Sequence, residues 1–144
     1  MFKLIPNPGI LPTKPSPCQG QEISFRVDGL PPYKDVHSSI RNPVHRIHSR
    51  FVALRDVATK EMAGRAWSDG AVSLSLTIHA TDFEKNRTLN DYLACVLDTL
   101  DGSHGEAFTF LPICFQDDSQ VCSADCRIFD SQEQFYEIVI RFDE

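Results

Sequence analysis

Residues 88–102 read TLNDYLACVLDTLDG, and residues 115–121 read FQDDSQV. In the first segment Leu89, Tyr92, Leu93, Val96, Leu97 and Leu100 recur at three- and four-residue steps, the spacing of one helical face. Gly102 stands just past them, where a helix commonly stops. Thr88-Leu-Asn-Asp91 has the form of a capping box, with the Thr88 hydroxyl accepting from the Asp91 amide. An acidic first turn also suits the helix dipole. The stretch therefore predicts a capped amphipathic helix, a long loop, and a tight acidic turn at Asp117–Asp118.

Upstream, Val72, Leu74, Leu76 and Ile78 alternate with Ser73, Ser75, Thr77 and His79, the period of a strand with one buried face. An earlier strand, Glu22 to Val27, puts Ile23, Phe25 and Val27 on one side, and Gly29-Leu-Pro-Pro ends it. Between these strands a helix is expected from Pro43, capped by Asn42, to about Ala63, with Gly64 as its stop. Val44, Ile47, Phe51, Leu54 and Ala58 form its apolar face. Two more strands are expected at 121–129 and 135–142. The order strand, helix, strand, helix, strand, strand implies a single α/β (α+β) domain, a mixed sheet with two packed helices. It would span 22–144. Residues 1–21 hold five of the nine prolines and read as an extended arm, with at most a short edge strand at its start.

A chain of 144 residues suits one domain. No apolar run approaches a membrane span, and the first residues lack a leader pattern, so a cytoplasmic protein is expected. Five cysteines, an odd number, argue against a disulfide framework; Cys122 and Cys126 lack knuckle spacing, so reduced thiols are expected. The net charge of −6 is unfavourable for a polyanion partner, but it is unevenly spread. Residues 1–88 carry twelve Lys/Arg against eight Asp/Glu, whereas residues 89–144 carry two against twelve. A nucleic acid could use only the first half unless metal offsets the second.

Val96-Leu-Asp98-Thr-Leu100, followed by Asp117-Asp-Ser-Gln-Val121, resembles the metal-binding half of the RusA-type Holliday junction resolvases, the crossover junction endodeoxyribonucleases. The first strand ending in Gly-Leu-Pro-Pro, the long helix and the alternating strand extend the likeness from Glu22 to the C-terminus. The resemblance implies a small mixed α/β fold, a homodimer, branched DNA as substrate in recombination and repair, and Mg²⁺-dependent cleavage. Carboxylate-held Mg²⁺ supplies the activated water and the stabilised leaving oxygen that phosphodiester hydrolysis needs. Carried onto this chain, the family's helix-start aspartates fall on Thr88 and Asn90. Its asparagine falls on Asp91, its lysine on Ala94, a further helix carboxylate on Asp98, and its turn on Asp117 and Asp118. The resemblance thus implies a DNA-binding relative with lost or impaired cleavage. Asp118, Asp91 and Asp117 are the candidate catalytic residues, and Asp118, Asp91 and Asn90 the candidate metal ligands. Asp82, on the preceding loop, is a further carboxylate that could lean toward the site.

Lys34, Arg41, Arg46, Arg50 and Arg55 lead into and along the first helix and are candidate phosphate contacts. The alternative is an ordinary solvated helix face. His45 and His48 are expected at the surface; His79 and His104 have no evident nucleophile to serve. Trp67 reads as a packing residue. Residues 107–115, AFTFLPICF, carry no charge and read as a buried flap, a dimer contact or a lid. Three functions follow: a working nuclease, a DNA-binding descendant that does not cut, or a protein-interaction module without nucleic acid.

Overall fold

The computed structural model describes residues 3–4, 9–35, 39–81, 84, 87–102, 108–109 and 111–143. Its elements are β1 (Lys3–Leu4), β2 (Glu22–Asp28), α1 (His48–Met62), β3 (Val72–His79), α2 (Leu89–Leu100), β4 (Phe108–Thr109), β5 (Val121–Phe129) and β6 (Phe135–Phe142). A 3₁₀ turn, Asp118–Gln120, leads into β5. The fold is the expected α+β domain, a four-stranded mixed sheet ordered β2-β6-β3-β5. β6 pairs antiparallel with both β2 and β3, while β3 and β5 run parallel. That parallel pair needs a crossover, and α2 supplies it.

Strict alternation decides which face is covered. Ile23, Phe25 and Val27 of β2, Val72, Leu74, Leu76 and Ile78 of β3, and Tyr136, Ile138, Ile140 and Phe142 of β6 turn one face inward. Phe51, Leu54, Ala58 and Met62 of α1 and Tyr92, Cys95, Val96 and Leu100 of α2 complete the core against it. Full burial of such side chains is worth roughly 1.5–3 kcal/mol each. The opposite face bears Ser73, Ser75, Thr77 and His79 and has no helix on it among the described residues. Among those residues no helix is long and apolar enough to cross a membrane.

Several local expectations are corrected. α1 begins at His48 rather than Pro43. The preceding residues form successive turns, with amides of Asn42, His45 and His48 donating three residues back to Ser39, Asn42 and His45. Asn42 uses its side chain on the amide of Val44 rather than as a helix cap, and Val44 is 87% exposed instead of facing the core. His48 is buried, and His45 is half-buried with a side chain only 4% exposed, so neither ring stands at the surface. The His45 ring accepts from the Ile47 amide at 3.2 Å and meets Asp35 at 2.8 Å, which organises the helix entry. His48 Nδ1 bonds the Ile40 carbonyl at 2.7 Å. α1 stops one residue early, because Ala63 itself adopts the left-handed conformation (φ 52°) and Gly64 continues it (φ 84°).

The arm is more tied down than its prolines imply. Thr13 and Lys14 amides donate to the Gly64 carbonyl, and Ser16 Oγ donates to the Trp67 carbonyl at 2.7 Å. β1 pairs parallel with β4. Ile113, Cys114 and Phe115 join the protomer's own core, as the flap reading expects. Asp82, His104 and residues 103–107 lie outside the described residues.

Candidate metal and phosphate site

The C-terminal end of α2 is where the chain folds back on itself. Ile113 and Cys114 amides donate to the Leu100 carbonyl at 3.1 and 3.2 Å. These bonds satisfy one of the carbonyls a helix leaves open at its end. They also bring residues 116–118 beside the last turn of α2.

Gln120 then fixes the acidic turn. Its side-chain oxygen accepts from the amides of Gln116 (2.8 Å) and Asp117 (2.9 Å). Its nitrogen donates to the carbonyls of Ser68 and Gly70, both at 2.7 Å. One amide side chain thus locks the 116–120 turn to the loop ahead of β3. Asp117 is engaged inside the turn, accepting from Ser119 Oγ at 2.5 Å. Asp118 turns outward and is exposed.

Asp98, Asp101 and Asp118 form a group in which one oxygen from each lies within 4.8 Å of the others. Opposed oxygens on Mg²⁺ stand about 4.2 Å apart and on Ca²⁺ about 5 Å apart, so the group can close on either ion with little motion. Two of the three aspartates sit at the negative end of the α2 dipole, and no basic residue occupies its last turn. The field there favours a cation. Lys34 Nζ meets Asp98 Oδ2 at 2.8 Å, and that bond raises the lysine pKa above its ordinary value. Arg41 reaches the Asp98 carbonyl at 3.5 Å.

The other predicted ligands are not brought to this group. Asp91 closes the capping box at the opposite end of α2, its Oδ2 accepting from the Thr88 amide at 2.9 Å while its own amide donates to Thr88 Oγ1 at 3.2 Å. It sits seven residues from Asp98, about 10 Å along the helix at 1.5 Å per residue. Asn90 is exposed in the same first turn. Of the predicted set, only Asp118 belongs to the carboxylate cluster. Asp101 was missed because it reads as a helix stop beside Gly102, and Asp98 because a lone carboxylate on a helix is usually structural.

The predicted phosphate contacts separate as well. Arg55 is fully buried, a correction to its place on a surface stripe. It donates to the Thr99 carbonyl at 2.9 Å and the Leu111 carbonyl at 2.7 Å, tying α1 to the end of α2. Burial lowers its pKa to about 10. Arg50 is engaged by Glu84 through two contacts of 2.7 and 3.3 Å, and Tyr92 donates to the same carboxylate at 2.6 Å.

Tyr33 collects the rest. The guanidinium carbons of Arg87, Arg50 and Arg46 lie 3.9, 5.6 and 5.8 Å from its ring centre, and Arg46 donates to its hydroxyl. Such contacts hold guanidinium groups in place without neutralising them. Arg87 and Tyr33 were not predicted. Arg87 is isolated in sequence from the helical run of arginines, and only the fold carries it there. The site as a whole is a carboxylate group at one end of α2 and an arginine group at the other, with Lys34 and Arg41 between them.

No known family model matches the chain, and no curated protein is significantly similar to it.

Proposed function

We propose that this protein is a RusA-like, nucleic-acid-associated protein that binds branched DNA through the Tyr33 arginine cluster and carries a divalent-metal site at Asp98, Asp101 and Asp118. The observation that supports this reading is the approach of three carboxylates to within 4.8 Å of one another, beside Lys34. A phosphodiester needs both partners: cations to hold its flanking phosphates, and a metal to bridge its charge to acidic side chains. When bound, Mg²⁺ would polarise the phosphoryl oxygen and lower the pKa of a bound water. Arg46 and Arg87 position the backbone, and Lys34 orients Asp98. Ala94 leaves no cation on the α2 face where the resemblance expects a lysine, so cleavage is weak or lost while binding remains.

The test uses a labelled four-way junction with Mg²⁺, Mn²⁺ or EDTA. Binding should weaken steeply with salt, by about one ion per phosphate contacted. Arg46→Glu with Arg87→Glu should weaken binding with metal uptake unchanged, and Asp118→Asn should remove the metal response. Metal-dependent nicking lost in Asp118→Asn would identify a working nuclease instead. No junction binding at low salt would overturn both and leave a protein-interaction module.

A further inference from the structure

β5 is an edge strand, bonded to β3 on one side only. It is nine residues long, contains neither proline nor glycine, and is exposed at Cys122, Ser123, Ala124, Asp125, Arg127 and Phe129. Natural edges of this length are normally covered, charged, bulged or broken by proline. β5 shifts register only at its start, where Cys122 is an extra residue, runs regularly against β3 from Ser123 to Phe129, and carries two charges of opposite sign, Asp125 and Arg127. Here nothing among the described residues covers it.

The direction of its free backbone groups follows from the ladder. His79 is the partner of Phe129, and the Phe129 carbonyl accepts from the Ala80 amide at 3.1 Å. In a parallel pair, a residue that bonds its neighbour does so with both its N–H and its C=O, and alternate residues point the other way. Ser123, Asp125, Arg127 and Phe129 therefore spend their backbone groups on β3. Ala124, Cys126 and Ile128 offer theirs to the open edge.

We infer that β5 pairs antiparallel with β5 of a second copy about a two-fold axis at Cys126, making one continuous eight-stranded sheet. A two-fold register must be centred on a single residue for outward groups to meet outward groups. Centring on Asp125 or Arg127 sets like charges face to face. Centring on Ala124 sets Asp125 against Ser123, and centring on Ile128 sets Arg127 against Phe129. Only Cys126 opposes unlike charges, with Asp125 against the partner's Arg127 and Arg127 against the partner's Asp125. These fall at the non-hydrogen-bonded positions, where facing side chains come closest. In the same register Ala124 meets the partner's Ile128 on the helix-bearing side of the sheet. On the open side, Phe129, 50% exposed, lies across from the partner's Ser123. Asp125 already accepts from Ser75 Oγ at 2.9 Å, which holds its carboxylate on the open face for this pairing. The inference uses neither the metal group nor the arginine cluster, so it stands or falls apart from the DNA reading.

The experiment is sedimentation of the full chain and four variants. The wild type should be a dimer. Asp125→Arg and Arg127→Asp each set two like-charged pairs at the axis and should raise the dissociation constant about tenfold or more. The double swap, Asp125→Arg with Arg127→Asp, should bring it back to within about threefold of wild type. Ala124→Pro removes an edge donor without touching the β3 ladder, so it should give a folded monomer by circular dichroism. A wild type still monomeric at about 100 µM would overturn the inference. So would a dimer indifferent to the single reversals, or a double swap as weak as either single variant.

Discussion

At the residue scale, Arg55 and Asp118 behave in opposite ways although both were candidate site residues. Arg55 carries its charge into the core, where two main-chain carbonyls are its hydrogen-bond acceptors. Arg55→Met keeps much of the volume but leaves the Thr99 and Leu111 carbonyls without that donor. Hydrogen bonds from a charged group are each worth about 1.5–3 kcal/mol, partly offset by the cost of burying the guanidinium. The expected net loss is about 2–4 kcal/mol, read as a lower urea midpoint with an unchanged slope. Asp118 is exposed and makes no core contact, so Asp118→Asn should leave the urea midpoint within about 0.5 kcal/mol of wild type. Its effect should appear only in Mn²⁺ titration, as affinity lowered by about tenfold or more, because one of three carboxylates is lost. Equal Mn²⁺ affinity in the two proteins would remove Asp118 from the proposed metal site.

At the element scale, α2 joins the two halves of the site. Thr88 was legible as a cap because the capping box is a local contract between a hydroxyl and an amide three residues on. Both halves of that box are formed. Thr88→Ala should therefore cost about 1 kcal/mol of stability, whereas Thr88→Asp, another good cap, should cost little. Thermal melts of the two variants separate this capping role from a metal role, since only a ligand role predicts that Thr88→Asp gains Mn²⁺ affinity. The strands and α2 could be read from period because each buries a single face, as Ile23, Phe25 and Val27 do. The start of α1 was not readable in that way. Pro43 and Asn42 suit a helix start locally, yet the burial of His45 and His48 through Asp35 and Ile40 holds the chain in turns until Ile47. Asp98, Asp101 and Asp118 were not legible as a group for a related reason. Their meeting depends on Gln120 and on the return of residues 113–116 to the end of α2, contacts made at long range and invisible to local spacing.

At the scale of the whole molecule, the two helices are clasped by one carboxylate whose charge state sets a pH limit. Glu84 receives Arg50 from α1 and Tyr92 from α2, so it couples both helices over the sheet. Partial burial alone would raise its pKa, but the hydrogen bonds from Arg50 and Tyr92 and the nearby Arg87 charge outweigh that and hold it below the ordinary glutamate value. The folded state then binds the proton less readily than the unfolded chain, whose glutamate titrates near about 4.3. The clasp accordingly contributes fully above that pH, and its contribution is lost as pH falls through the lower, folded pKa. Glu84→Gln keeps the shape and removes the ionisation. At pH 7 the variant should be less stable than wild type, and the gap should narrow as the pH is lowered below about 4. Urea midpoints measured across pH 3 to 7 check this, those limits lying about 1 unit below and 3 units above the glutamate reference value. A gap that stays constant over the range would mean that Glu84 acts through shape alone, and that the ionised clasp between the helices contributes nothing to the stability of the fold.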